Sequence, residues 1–161
     1  MLWKVYWRMK TFKREIETIL LQLRGSPWAG HPDVADVIEE YIHFQRSGKT
    51  PTQSRRVSLQ IFHASRAIDS FLAHIVQNEA SKPGRAVAPA KRTLGSSQVY
   101  VRVNGISGLR FSVPVDGDMD SIRNDRNLYL HRANCFPNDG TIGQFLNGTI
   151  RAISEATTFP P

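Results

Sequence analysis

The sequence predicts a mainly α-helical protein, an up-and-down bundle of about five helices with a small β-hairpin inserted before the fourth. Apolar residues recur at three- and four-residue steps over long segments, which is the spacing of a buried helix face. Between residues 99 and 113 the apolar residues instead alternate with polar ones, as they do in strands. The 161 residues contain no internal repeat and no linker, so we expect a single domain over residues 1–161.

The first two predicted helices are separated by a short turn. The first covers residues 2–24 and ends at Gly25 and Pro27, which do not continue a helix. The second begins at Pro32, because a proline in a first turn loses no hydrogen bond, and it ends before Gly48. Each helix carries an apolar stripe, so each is expected to pack on the core.

The third predicted helix begins at Thr52 or Ser54, ends at Glu79 and is the longest regular element of the chain. Seven apolar residues form its stripe: Val57, Ile61, Ala64, Ile68, Phe71, Leu72 and Ile75. Their spacing predicts a helix with one continuous buried face.

Residues 82–115 are predicted to be an insertion, a basic loop followed by the hairpin. Residues 82–95 hold four basic side chains and no acidic one, and their prolines and glycine break any helical pattern. The two alternating runs start at Val99 and Leu109, on either side of Asn104-Gly105, a pair typical of hairpin turns. A lone hairpin is marginal in water, so its apolar face should lie on the helices or on another chain.

Two helices are predicted to follow the hairpin. The fourth helix follows a turn and cap at residues 116–118, carries Met119 and Ile122 and continues to about Cys135; the last helix covers about residues 141–157. The fourth helix contains the most polar and chemically suggestive stretch of the chain, residues 123–131.

The net charge of +7 favours an anionic partner, and nucleic acid is the first candidate. A basic protein without such a partner remains an equal alternative on charge alone. Six cations of the insertion are expected to add non-specific affinity for RNA phosphates: Lys82, Arg85, Lys91, Arg92, Arg102 and Arg110.

The sequence also suggests where the protein resides. It has no apolar run long enough to span a bilayer, and Lys4, Arg8 and Lys10 interrupt the segment where a secretory signal would be apolar. The single cysteine, Cys135, excludes an internal disulfide. We therefore expect a cytoplasmic protein that does not enter the membrane.

Residues 123–131 place cations, amides and an imidazole on one helix. On an ideal helix Arg123, Asn127 and His131 share one stripe, and the long side chain of Arg126 can reach the same opening. RNA cleavage by its own 2′-hydroxyl needs proton transfer, which histidine provides near neutral pH, and stabilisation of phosphorane charge, which arginine provides. One histidine is too few for separate acid and base roles unless a second chain supplies another. The same cluster also fits a polar surface or a hydrogen-bonded seam.

This stretch resembles the signature of the HEPN superfamily (higher eukaryotes and prokaryotes nucleotide-binding), which is Arg-x4-His with a polar residue after the arginine. Its members are small helical bundles, many of them metal-independent RNA endonucleases. The resemblance covers the topology of most of the chain, but specific residues only at 126–131. By position it implies that Arg126 and His131 are the catalytic pair and that Asn127 supports them, with no metal and no cofactor.

The resemblance further implies a homodimer in which two motifs face each other and supply two histidines. HEPN bundles often place a polar residue of an earlier helix beside the motif, so Asp69 is a candidate support residue, as is Arg123. One subgroup has a tyrosine two residues after the histidine, which a partner nucleotidyltransferase antitoxin modifies. That place is Ala133 here, a departure from the pattern, and the hairpin also lies outside it.

We therefore expect a HEPN-type endoribonuclease, a toxin or antiphage-defence component of a prokaryote. A cognate antitoxin or a nucleotidyltransferase would be a further partner. Two alternatives stay open. One is a non-catalytic HEPN-like module that binds RNA or a nucleotide, and the other is an interaction protein whose basic loop and hairpin contact a partner.

The remaining histidines give no convincing metal site. His63 and His74 are three turns apart on the third helix, and Glu39 and His43 lack a third ligand.

Overall fold

The computed structural model describes residues 2–89, 93–104, 110–132 and 134–159; the side chains of residues 2–11, 32–33 and 103–104 lie outside that description. Six α-helices and no strands are found in these ranges: α1 (Leu2–Gly25), α2 (Pro32–Ser47), α3 (Gln53–Ala80), α4 (Leu94–Asn104), α5 (Val113–His131) and α6 (Asp139–Ala156). The predicted helical bundle is therefore confirmed, with one helix more than expected. None of the described helices has the length and apolar character to cross a membrane.

Helix α3 occupies the centre of the bundle. It packs against α2, α4, α5 and α6, while α1 packs on α2 and α6. All seven residues of its predicted stripe are buried, which confirms that prediction. Because α3 touches four helices, a polar side chain at the edge of its buried face can contact residues distant in sequence. Asp69 is such a residue.

The turn between α1 and α2 contributes the largest fully buried side chain, that of Trp28. The indole Nε1 of Trp28 donates a hydrogen bond to the carbonyl of Phe159, at 3.0 Å. The ring also packs edge-on against Phe71 of α3. A single side chain thus joins the turn after α1 to the end of the described chain, a role that helical periodicity cannot reveal.

The predicted β-hairpin is wrong. Residues 94–104 form α4 instead of a strand and a turn, residues 110–112 are not paired as a strand, and residues 105–109 lie outside the described ranges. Five described residues of α4 are buried, Tyr100 among them, and the other four follow helical spacing: Leu94, Ser97, Gln98 and Val101. Two of these four positions are polar, so the apolar pattern of the helix is hidden, and the alternation of Val99, Val101 and Val103 is misleading.

Buried Gln98 has a tertiary explanation. Its Nε2 donates to the backbone carbonyl and to the carboxylate of Asp116, at 3.2 and 3.1 Å. These bonds offset part of the cost of burying the amide and join α4 to α5, although Gln98 Oε1 is buried without a hydrogen-bond partner among the described residues.

Helix α5 begins earlier and ends earlier than predicted. Ser112 caps it, and the carboxylate of Glu155 in α6 accepts hydrogen bonds from the backbone N–H and the hydroxyl of Ser112. The helix ends at His131 because Arg132 is extended, and Asn134 has a φ of 59°, a left-handed conformation that asparagine tolerates. His131 is thus the last helical residue, not a residue one turn inside the helix.

Candidate active site

Arg126 and Asp69 form a short ion pair between α5 and α3. Arg126 Nη1 donates to Asp69 Oδ2 at 2.6 Å, and the two side chains are only 20% and 25% exposed. Asp69, a candidate support residue, is thus in direct contact with Arg126 of the motif. The pairing holds the guanidinium in place through a charge-assisted bond.

Asp69 also fixes the start of α4. Its second oxygen, Oδ1, accepts a hydrogen bond from the backbone N–H of Leu94 at 2.8 Å. The first N–H groups of a helix have no partner within it, so a carboxylate at this place satisfies one of them. Its negative charge also interacts favourably with the positive end of the helix dipole. One carboxylate therefore joins α3, α4 and α5 at the motif.

The pKa of Asp69 is raised above its ordinary value because burial disfavours its ionised form. The charge of Arg126, the N–H of Leu94 and the charge of Arg66 oppose this shift, but burial is the larger effect. Ionisation of Asp69 therefore costs more free energy in the folded chain than in the unfolded chain.

We predict that Asp69→Asn changes the pH dependence of stability in a defined direction. The raised pKa means that the wild type loses stability, relative to the variant, as pH rises from below the ordinary aspartate pKa to above the raised one. Asparagine keeps an oxygen for the Leu94 N–H but does not ionise. Urea unfolding of both proteins across this range tests the prediction. A difference in unfolding free energy that stays constant with pH would show that attraction to Arg126 balances burial, and one that grows in favour of the wild type would show that attraction outweighs burial; either result contradicts the prediction.

His131 and Asn127 are both exposed on α5. Neither side chain forms a hydrogen bond or an ion pair with any other residue in the described ranges. The two lie one turn apart on the same stripe of α5, since four residues separate them. The imidazole is thus accessible to a ligand or to a second chain, whereas the guanidinium of Arg126 is already oriented.

Arg123 continues this stripe by one more turn. Its Nη2 lies 3.2 Å from a carboxylate oxygen of Asp120, and its aliphatic chain passes beside Gly95 of α4. A β-carbon added at Gly95 would lie 3.4 Å from Arg123 Cδ. The start of α4 therefore contacts both Arg123 and, through Leu94, the carboxylate that holds Arg126.

Three of the four described cations that were predicted to bind RNA are paired with carboxylates. Arg102 bonds to Asp116 and Asp120, each at 2.8 Å, and these bonds raise the pKa of Arg102. Lys82 and Arg85 lie 3.0 and 2.8 Å from the buried carboxylate of Glu79. Of the other predicted cations, Arg110 is exposed and has no ion-pair partner among the described residues, and Lys91 and Arg92 lie outside those residues. The basic character of this region is therefore lower than its composition indicates.

A polar cluster that the sequence analysis missed lies between α2 and α3. Glu40 accepts from His63 Nδ1 at 2.7 Å and from Arg66 Nε at 3.1 Å, and the rings of His63 and His43 stack. Glu39 completes it with a 3.4 Å contact to His43. Nowhere in the described ranges do three or more His, Cys, Asp or Glu side chains form a group that could hold a metal ion. The four-residue spacing of Glu39 and His43 was the only signal of this cluster in the sequence.

No protein-family model, curated protein or solved structure matches this chain. The case for a function therefore depends on the residues of the site and their geometry.

Proposed function

We propose that the protein is a metal-independent RNA endonuclease of HEPN type, whose active site contains Arg126, His131 and Asn127. The observation that carries the proposal is the ion pair between Arg126 and Asp69. It holds a partly buried cation at a defined place on the helix that ends with an exposed histidine. Asp69 lies 57 residues away in sequence, so helix propensity alone does not account for the contact.

The chemistry assigns one task to each group. His131 transfers protons, taking one from the attacking 2′-hydroxyl or giving one to the leaving 5′-oxygen. A guanidinium has five N–H donors, so with Nη1 on Asp69 the others of Arg126 can contact the phosphate as charge develops on it. Asn127 is placed to contact the phosphate or the imidazole. The products would be a 2′,3′-cyclic phosphate and a 5′-hydroxyl.

We further propose a homodimer in which the exposed His131 of each chain contributes to one composite site. Acid and base roles then belong to two histidines, one from each chain. Such an enzyme would act as a toxin or antiphage effector, with a cognate antitoxin as a further partner. Light scattering that shows a monomer with full nuclease activity would contradict the composite site.

A non-catalytic RNA-binding module is the second candidate. The observation that favours it is that no described side chain orients His131, whereas a catalytic histidine is commonly oriented by a third group. In a module of this kind Arg123 and Arg126 would contact RNA phosphates, and His131 would take no part in proton transfer.

Incubation of a mixed RNA pool with the protein in excess EDTA separates these functions. The endonuclease should cleave in EDTA and leave ends that resist ligation until the cyclic phosphate is removed. Loss of cleavage in EDTA, with recovery on adding a divalent cation, would contradict the metal-independent mechanism. Binding without cleavage under either condition would favour the module.

A further inference from the structure

A solvent-open groove lies beside Arg123, between the segment that precedes α4 and the surfaces of α4 and α5. Its volume is about 550 Å³, within the usual range of small-molecule sites. Six of the residues that line it carry the argument below: Val87, Pro89, Gly95, Val99, Tyr100 and Arg123. All of them except Arg123 present mainly apolar surface, and Ser96 is the one further lining residue, so one cation lies in a mainly apolar groove.

Two apolar side chains of the groove are open to solvent. Val87 is 89% exposed and Val99 is 50% exposed, so a ligand that covers them removes apolar surface from water. Tyr100 is buried beside them, and its hydroxyl donates to the carbonyl of Ala86 at 2.7 Å, which holds the ring in place. The groove therefore offers a flat, apolar ligand a surface that needs little rearrangement.

The groove is continuous with the proposed active site. Gly95 follows Leu94, whose N–H binds the same carboxylate that holds Arg126. Arg123 lies eight residues before His131 on one stripe of α5, a rise of about 12 Å. A strand of RNA whose scissile phosphate lies at His131 can reach the groove within a few nucleotides.

We propose that this groove binds one unpaired base of single-stranded RNA, with Arg123 contacting a phosphate of the same strand. This inference depends on the proposed nuclease function for its substrate class. A nucleotide combines an apolar π-face with an anionic phosphate, and the groove combines apolar walls with a guanidinium. The ion pair with Asp120 engages Nη2, and Nη1 lies on the side of Gly95. Protein surfaces that bind single strands commonly combine such walls and cations.

The site also predicts a preference for unpaired RNA. A base in a duplex is stacked on both faces and paired along one edge, so it cannot enter a groove on a helix surface. Occupation of the groove therefore requires a loop, a bulge or a single strand.

Two substitutions test the groove, each with a matched control. Gly95→Leu fills it, and leucine is the better helix former, so loss of α4 would not explain an effect. Gly117→Leu is its control, since Gly117 lies in α5 with open space around it. Val99→Asp adds a negative charge to the groove, and Val113→Asp adds the same charge at another exposed valine away from the groove, 88% exposed against 50% for Val99.

The measurement is binding of a labelled single-stranded RNA and of its duplex, with all variants made in the His131→Ala protein so that no RNA is cleaved. Removing one base contact should weaken single-strand binding by about 5- to 150-fold, with duplex binding unchanged. The two control variants should bind both RNAs as the parent does. Equal single-strand affinity for the groove variants and their controls would overturn the proposal, as would no single-strand binding by the parent.

The test of the groove can succeed or fail independently of the nuclease proposal. If the wild type cleaves RNA but the groove variants leave both single-strand affinity and the pattern of cleavage sites unchanged, the base site is wrong and the nuclease stands. If groove variants weaken single-strand binding by a protein that never cleaves, the base site stands and the nuclease is wrong.

Discussion

Replacing His131 with alanine should reduce the rate of RNA cleavage by about 10²- to 10⁴-fold, the usual contribution of a positioned proton-transfer group. The fold should be unaffected, because His131 is exposed, is the last residue of α5 and has no hydrogen-bond partner among the described residues. Binding of RNA should change little, since a neutral imidazole adds little affinity in the ground state.

The measurement is cleavage of a mixed RNA pool in excess EDTA, with thermal melts of the same samples. His43→Ala is a suitable control, because His43 is a partly exposed histidine of α2 in contact with Glu39. Its removal should leave the cleavage rate unchanged. Full activity in a folded His131→Ala protein would remove the catalytic role and leave the binding module. A melting temperature that falls in step with activity would indicate that His131 is structural.

Replacing Arg126 with alanine should damage cleavage and binding together. Loss of one donor to developing phosphate charge costs about 10²- to 10³-fold in rate. The phosphate is charged before and during the reaction, so RNA affinity should fall as well. Arg126→Lys should recover part of the binding but little of the rate, because an ammonium keeps the charge and loses the planar fork of donors.

The main complication is that Arg126→Ala also leaves Asp69 without its counter-ion. Arg56→Ala is the matched control for this effect, because Arg56 pairs with Asp139 at 3.4 Å and the two side chains are 25% and 36% exposed. Arg56→Ala should lower stability without changing the cleavage rate of the folded protein. If the two variants lose activity equally, the contribution of Arg126 is structural and the proposed phosphate contact is wrong.

The helical bundle could be predicted from the sequence because residues three and four positions apart share one face of a helix. The stripe of α3 from Val57 to Ile75 has the three- and four-residue spacing that places it on one face, and that face is buried. Asp69 could also be expected beside the motif, since it lies in α3 and the family resemblance places a polar residue of an earlier helix there. Its bond to the N–H of Leu94 could not be expected, because α4 itself was not predicted.

The hairpin was predicted wrongly because the burial of α4 depends on distant partners. Ser97 and Gln98 occupy core positions, and the Nε2 of Gln98 donates to groups of Asp116 and Asp120 in α5. Without those partners a sequence pattern counts both residues as polar and solvent-facing. The alternating valines then resemble a strand, although one of them, Val99, remains exposed on the helix.

The ion pairs likewise divide into those between neighbours in the sequence and those that depend on the tertiary structure. The pairing of Lys82 with Glu79 has helical i, i+3 spacing and could have been found in the sequence. The contacts of Arg102 with Asp116 and Asp120 join α4 to α5, so they could not have been found in the sequence. The sequence by itself determined which residues carry charge, which carry the Arg-x4-His pattern and which faces of the long helices are apolar. Only the tertiary structure decided which cations are neutralised, that Asp69 holds Arg126 and that Arg123 borders an apolar groove, because each depends on contacts between residues far apart in the chain.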